Sequence, residues 1–526
     1  MSGLIPAPKL QVALYRGHTH GEFCLMPNAP VGGQVGRWVR ENLTDKEYVP
    51  KGWRWDPIQK MRVFNPYAYW KAKTTFANYD YKSSRLHVPI AFCDDIKKVI
   101  EEWGGEVAEL VVPGYPLRKI DAKMNPKFTD RPWQTPLIAK CSDPTPGMKG
   151  LEMQTGKGKT YSAVKSAVNL GYATVVIVPG LVGQWIEAIR EQTNLKIGKN
   201  IYKLEGFDSF AQLAKYPNFK PEFFVASTRT MQMFCNKDPG YELLPWDFAG
   251  FFRAYGIGTK IIDECHKQFH ATTMMDLAVN VPYNLYCSAT FDQTSRFAKK
   301  IFDRVYPVNI RYGAEAYDKY VTVYWLNFNG EVDERKACKA GRYMHALYEK
   351  ELLKSKFKLE DHIRTNIQPA INQFFVNTYK KGNKCLLFCS SIEYVENVVK
   401  YLRLNYPKFK ISEYIGASDR SVLDKADILV STIGKASTGL DLKGLVCCIN
   451  TVSVRTSVLT AQMLGRLRKI NGTELVYVDM CDVNCQSHLR HAETRKSDLT
   501  SMAAKFHEFY GWYDSNVKNL VTLTAA

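Results

Sequence analysis

The sequence predicts an α/β protein: two parallel-sheet domains in tandem behind a small N-terminal α+β accessory domain. Three observations predict it. From about residue 126, short β-branched runs alternate with helix-period stretches, the pattern of strands joined by crossover helices. The alternation comes in two sets, separated by a charged, helix-rich interval. Residues 1 to about 125 lack it and are instead rich in Gly, Pro and aromatics.

Each element has its own signal. A helix is expected at 94–103, where an amphipathic stretch stops at Gly104-Gly105. Strands are expected at 173–178, 223–227, 260–263 and 285–290, and in the second set at 384–390, 411–415, 427–432, 446–450 and 475–479. Between the sets, 330–380 reads as helical, with helix-period apolar positions at 343–353 and a solvated basic face at 354–358. The resulting domains are 1–125 (accessory), 126–320, 321–485 including the helical interval, and a helical tail at 486–526. No internal repeat or low-complexity tract is present.

A length of 526 residues exceeds what one core organises, in keeping with several domains. The net charge is +19, from 71 basic against 52 acidic residues, which points to a polyanionic partner, most simply nucleic acid. In the accessory region, Trp53-Arg54-Trp55 and Tyr67-Ala68-Tyr69-Trp70-Lys71-Ala72-Lys73 interleave aromatics with cations. Taken singly, these aromatics read as the core of a small domain; taken together, they suit base stacking and phosphate contact. No apolar run is long enough to span a bilayer, and the first residues carry no secretory pattern, so a cytoplasmic protein is expected (host cytoplasm if viral). The 13 cysteines, including Cys287, Cys389, Cys447 and Cys448 in apolar strands, read as reduced thiols. Cys481, Cys485, His488 and His491 have a spacing that could ligate zinc, or they are an incidental loop and helix start.

Two stretches carry chemistry. In Gln154-Thr155-Gly156-Lys157-Gly158-Lys159-Thr160, the glycines let backbone N–H groups approach phosphate oxygens, and a following helix adds its positive end. Lys159 would reach the β- and γ-phosphates of ATP, and Thr160 would offer its hydroxyl to Mg²⁺. The strict phosphate-loop pattern has Gly where Met153 stands. Farther on, the apolar strand Lys260-Ile261-Ile262-Asp263 ends in carboxylates. Asp263 can hold the metal through its water shell, and Glu264 can act as general base for an in-line water.

These residues fall in a series that resembles the superfamily-two helicases over about residues 128–482. The resemblance implies two RecA-like domains that bind ATP between them and move along nucleic acid. By the same resemblance, Gln134 of Arg131-Pro132-Trp133-Gln134 bonds the adenine edge and Arg131 stacks on it. Thr155, Gly156, Lys157, Gly158, Lys159 and Thr160 form motif I. Pro179 and Gln184 belong to motif Ia, and Thr228 and Arg229 to motif Ib; both would contact nucleic acid. Asp263-Glu264-Cys265-His266 is motif II, and Ser288-Ala289-Thr290 is motif III, where His266, Ser288 and Thr290 would couple hydrolysis to strand movement. Ser390 lies in motif IV and Thr432 in motif V, both as nucleic-acid contacts. Gly439 and Asp441 of motif V would serve the nucleotide. Gln462 in motif VI would couple, and Arg466 or Arg468 would supply the arginine finger.

Motif VI departs from the family pattern, because Arg466 and Arg468 are two positions apart and Lys469 takes the usual finger position. Lysine does not replace the planar fork of arginine at a phosphate, so both arginines stand as candidates. Asp-Glu-Cys-His, together with Gln462, argues against the DEAD-box RNA branch. The set is most similar to XPB-type motors and phage UvsW-like branch-migration helicases. The implied activity is ATP-dependent unwinding or translocation on duplex, forked or branched DNA in replication, recombination or repair, by a monomer or weakly associating chain without a membrane. Alternatives are an RNA helicase or transcription-linked motor, a nucleic-acid clamp with a worn ATP site, and the motor chain of a restriction system.

Overall fold

The computed structural model describes residues 10–25, 30–49, 51–56, 61–65, 67–154, 156–180, 182–293, 295–313, 319–339, 342–416, 418–419, 421–436, 442–455, 457–470 and 472–511. They form two compact units, 1–314 and 315–526.

In the first unit, a seven-stranded sheet runs in the order Ile201–Leu204, Phe223–Ser227, Thr174–Val178, Thr259–Asp263, Tyr283–Ser288, Gly147–Glu152 and Arg311–Tyr312, every neighbouring pair parallel. The inner strand Thr174–Val178 is buried at every position, as a run of Val and Ile between two helical layers should be. Sequence-order neighbours are interleaved, so the loops after Gly147–Glu152, Thr259–Asp263 and Tyr283–Ser288 emerge side by side at one carboxyl edge. Such an edge is where open α/β sheets bind ligands.

The N-terminal region builds a mixed sheet in the order Asn78–Asp80, Arg85–Pro89, His20–Cys24, Leu10–Arg16 and Gly105–Val111. The helix Cys93–Glu102 covers it, within a residue of expectation, with Cys93, Ile96 and Ile100 buried. Val12, Leu14, Phe23 and Ile96 share one apolar core with Phe224 of the larger sheet and with Phe251, Phe269 and Phe302 of its helical layer. The accessory sheet is therefore fastened to the first parallel sheet by burial of apolar surface. Two further two-stranded antiparallel sheets pair Thr44–Val49 with Tyr69–Thr75 and Gly52–Asp56 with Met61–Asn65.

The second unit repeats the plan, with seven parallel strands in the order Ile411–Tyr414, Ile428–Thr432, Lys384–Cys389, Leu445–Asn450, Leu475–Asp482, Val321–Phe328 and Lys505–Tyr510. The helical interval packs into this unit's core through Tyr348, Leu352, Ile363, Ile367 and Phe375. The tail differs from expectation. After the helix Gln486–Met502, residues Lys505–Tyr510 add an edge strand beside Val321–Phe328.

Candidate functional site

The strand Gly147–Glu152 delivers the phosphate loop, and the helix Lys159–Leu170 begins directly after it. Gly158 caps that helix at φ +92°, a conformation costly for any residue with a Cβ. A Cβ there would also sit 2.2 Å from Gln134 Nε2, so both the turn and its neighbour require glycine.

Lys159 lies at the first helical position, and its Nζ meets Glu264 Oε1 at 2.6 Å and Asp263 Oδ1 at 3.2 Å. Asp263 ends its strand, and its Oδ1 accepts the Glu264 N–H at 3.0 Å. Its Oδ2 accepts the indole N–H of Trp185 at 2.9 Å. Glu264 adopts φ +48°, a left-handed conformation uncommon for a side-chain-bearing residue and typical of functional turns. Burial would raise the Glu264 pKa, but the Lys159 charge and hydrogen bond overcome it and hold the group at about 2. Burial would likewise lower the Lys159 pKa, and the two carboxylates reverse that, leaving it above its ordinary value.

Behind the carboxylates, His266 Nδ1 meets the Ser288 hydroxyl at 2.7 Å, and Ser288 Oγ accepts the Thr290 N–H at 3.0 Å. Gln293 donates its side-chain N–H to the His266 carbonyl at 2.6 Å. Burial lowers the His266 pKa to about 4, which keeps the ring neutral at pH 7. Motifs II and III are thus joined by a hydrogen-bonded chain one step removed from Glu264.

Gln134 is buried, and its amide N–H groups point to the carbonyls of Lys157 at 3.2 Å and Gly158 at 3.4 Å. Its Oε1 accepts the Arg131 N–H at 2.9 Å. The Arg131 guanidinium lies over the Trp133 ring, 5.5 Å from its centroid, and reaches the Gly156 carbonyl at 3.4 Å. Lys157 Nζ also lies over Trp133. The upstream motif therefore grips the phosphate loop directly. Thr160, on the first helical turn, is partly exposed. Thr155 lies outside the described residues.

The remaining positions sort by exposure. Pro179 and Gln184 are partly buried beside Trp185 in sequence. Ser227 caps the helix Thr228–Cys235 by accepting the Thr230 N–H at 3.0 Å. On that first turn Thr228 is buried, so only Arg229 of the pair presents its side chain to solvent.

In the second unit, Ser390 and Ser391 donate backbone N–H groups to the two oxygens of the buried Glu349, each at 2.6 Å, which fixes motif IV. Thr432 ends its strand, partly buried. Gln462 is buried on the helix Ser457–Leu464. Arg466 donates from Nε to the Gln462 carbonyl at 3.2 Å, while Arg468 is exposed. Gly439 and Asp441 lie outside the described residues.

Of the two alternatives at the Cys-His cluster the incidental one holds, and one reading, of the aromatics, is corrected. Cys481, Cys485, His488 and His491 do not form a zinc site. His488 meets Tyr343 OH at 2.6 Å through Nε2 and accepts the Asp482 N–H at 3.2 Å through Nδ1, so both ring nitrogens are engaged. His491 Nδ1 pairs with the Ser453 hydroxyl at 3.1 Å. The aromatics of 67–70 are not a small core: Tyr67 is 77% exposed, Trp70 65%, and Tyr48 opposite Trp70 55%. Side chains of Trp53–Trp55 lie outside the described residues. Sequence reasoning placed Trp185 at the end of motif Ia without a role and passed over Glu349; the first orients Asp263, and the second holds the Ser390 loop.

Two tandem parallel sheets with a phosphate loop at the carboxyl edge of the first are tandem RecA-like domains, and the ordered motifs on them resemble those of superfamily-two helicases. No protein-family model matches the sequence, and no curated protein matches it. Among solved structures, the chain is similar to S. cerevisiae Dbp5 bound to RNA and ADP BeF3, at 11% identity over 73% of this chain and 91% of that one (TM-score 0.48). It is similar to T4 UvsW at 15% identity over 95% and 99% of the two chains (TM-score 0.34). It is also similar to the Pyrococcus furiosus Hef helicase domain at 14% identity over 70% and 98% (TM-score 0.43). At such identities, what this chain does is read from its own residues. Among the described residues, no helix is long and apolar enough to cross a membrane.

Proposed function

We propose that this chain is an ATP-driven motor of the superfamily-two type that unwinds or translocates on DNA. One observation carries the reading: Lys159 of one motif meets Asp263 and Glu264 of another within 3.2 Å at the carboxyl edge of a parallel sheet. That set serves phosphoryl transfer. Lys159 neutralises charge on the β- and γ-phosphates, Thr160 and Asp263 hold Mg²⁺ through oxygen, and Glu264 takes a proton from the attacking water. When MgATP enters, the lysine exchanges its carboxylate partners for phosphate, which frees Glu264 as base.

Gln134 braces the loop through its N–H groups, and the second lone pair of Oε1 is left for the adenine amino group. Arg466 and Arg468 of the second unit are the two candidates for the arginine finger. The His266–Ser288–Thr290 chain leads the hydrolysis state away from Glu264; Arg229 in the first unit, and Ser390 and Thr432 in the second, are each assigned to nucleic-acid contact.

The DNA assignment is supported by Asp-Glu-Cys-His in motif II and by Gln462, and the +19 charge supports a polyanionic partner, DNA and RNA alike. The ribbon of the accessory region supports a nucleic-acid role there, since exposed Tyr48, Tyr69 and Trp70 stand among Lys46, Lys71 and Lys73. Replication, recombination or repair of branched DNA is the setting that suits these features. The test is ATPase activity with single-stranded, duplex, forked and four-way DNA beside RNA. Stimulation by RNA alone would favour the RNA-helicase alternative.

A further inference from the structure

The geometry points to a divalent-metal site of the zinc class on the face of the N-terminal sheet opposite Phe23, built by His20, Glu22 and His87. The face follows from strand alternation. In His20–Cys24, Phe23 turns into the core, so His20 and Glu22 share the opposite face. In the antiparallel register Glu22 stands directly opposite His87 on Arg85–Pro89. One ligating atom from each of the three residues lies within 4.8 Å of the others, the one such grouping of His, Cys, Asp and Glu among the described residues.

Proton bookkeeping makes the site specific. The Thr19 hydroxyl donates its single hydrogen to the Asp276 carbonyl at 3.0 Å. It can therefore only accept from His20 Nδ1, 3.3 Å away, so that nitrogen carries the hydrogen. In the neutral ring the lone pair is then on Nε2, and Nε2 faces Glu22 Oε1 at 3.4 Å. A lone pair against a carboxylate is repulsive unless a cation lies between them. The 3.4 Å separation is long for a hydrogen bond. It is close to the edge of a tetrahedron whose centre is about 2.0–2.1 Å from its ligands, the zinc geometry.

A proton could bridge His20 and Glu22, but it would leave His87 unexplained. His87 Nδ1 is buried and has no hydrogen-bond partner among the described residues. Three residues with ligand atoms within 4.8 Å of one another, one of them with an unpartnered ring nitrogen, suit a metal better than a proton. Arg85 donates to Oε2 at 2.6 Å, which orients the carboxylate and leaves Oε1 for the ion. Thr19 fixes the His20 ring in the same way. Two imidazoles and one carboxylate with a fourth position for water form a donor set that zinc accepts.

The experiment uses the full chain, freed of metal by chelator, titrated with Zn²⁺ by calorimetry and analysed for retained zinc after dialysis. Co²⁺ serves as the spectroscopic probe. One retained equivalent is expected, together with visible Co²⁺ bands of a four-coordinate site. His87→Ala should lose both, and Glu22→Gln should weaken binding by at least about tenfold. Because His87 is only partly buried, its variant should keep the wild-type circular dichroism. If the wild type retains no zinc, or if His87→Ala retains as much as wild type, the proposal is overturned and a proton alone joins His20 to Glu22. The readout is independent of ATPase activity.

Discussion

Lys159 Nζ lies 2.6 Å from Glu264 Oε1, which pairs the proposed phosphate-binding cation with the proposed general base. Removing the cation should act on both. Lys159→Ala should lower ATP turnover by at least about 100-fold, the scale of losing one preorganised charge. It should also change the acid response. Glu264 has a depressed folded pKa, so its pairing stabilises the fold above about pH 4.5 and the contribution is lost as pH falls toward 2. The stability gap between wild type and Lys159→Ala in urea should therefore narrow over that window. A gap independent of pH would mean that the pair contributes nothing to the fold.

Trp185 should matter through Asp263. Its indole N–H donates to Asp263 Oδ2, the oxygen not turned to Lys159. Trp185→Phe keeps the aromatic packing and removes the donor. The concentration of Mg²⁺ needed for half-maximal ATPase should rise by about 10–100-fold, with a smaller change at saturating Mg²⁺. An unchanged Mg²⁺ dependence would show that Asp263 needs no orienting partner.

Acid should destabilise the protein before its carboxylates titrate. Burial lowers His266 and His362 to about 4 and His345 to about 3, so each is neutral in the fold at pH 5 while the unfolded chain binds a proton. A lowered histidine pKa favours the fold above about pH 6.5, and the benefit is lost as pH falls through the folded value. Unfolding midpoints should drop from pH 7 to pH 4.5. Replacing one of the three, as in His362→Phe, should reduce the slope of stability against pH near 5 by about 1.4 kcal/mol per unit. An equal slope would place that ring in an exposed or already charged state.

The ribbon Thr44–Val49 with Tyr69–Thr75 should contribute to nucleic-acid affinity. Tyr48 and Trp70 are cross-strand partners, with ring centroids 5.4 Å apart, and both are exposed. Base stacking on an aromatic is worth about 1–3 kcal/mol, so Trp70→Ala should weaken single-stranded DNA binding by about 5- to 150-fold while leaving basal ATPase unchanged. Unaltered binding by both Trp70→Ala and Tyr48→Ala would remove the ribbon from the nucleic-acid path.

Much of this was legible in the sequence because parallel strands buried on both faces read as continuous apolar runs. Phe223–Ser227 matches its expected bounds, and Thr174–Val178 and Ile428–Thr432 each fall within one residue of theirs. Strands with polar or mixed composition, such as Gly147–Glu152 and Lys505–Tyr510, gave no such run and were missed. The chemistry of Lys159, Asp263 and Glu264 was legible because strand ends and a glycine loop fix where those groups emerge. Trp185 and Glu349 were not, because their roles arise from contacts with residues distant in sequence. The aromatics at 67–70 misled because an exposed ribbon and a small core share one composition, and burial alone separates them.

The most direct test is steady-state ATP hydrolysis by wild type and Glu264→Gln, each with saturating Mg²⁺ and with duplex or forked DNA present or absent. Wild type should hydrolyse ATP faster with DNA, and Glu264→Gln should lose at least about 100-fold in turnover while still binding nucleotide and DNA. Wild-type rates in the Glu264→Gln variant, or a rate in wild type that ignores every nucleic acid supplied, would contradict a nucleic-acid motor built on this carboxylate.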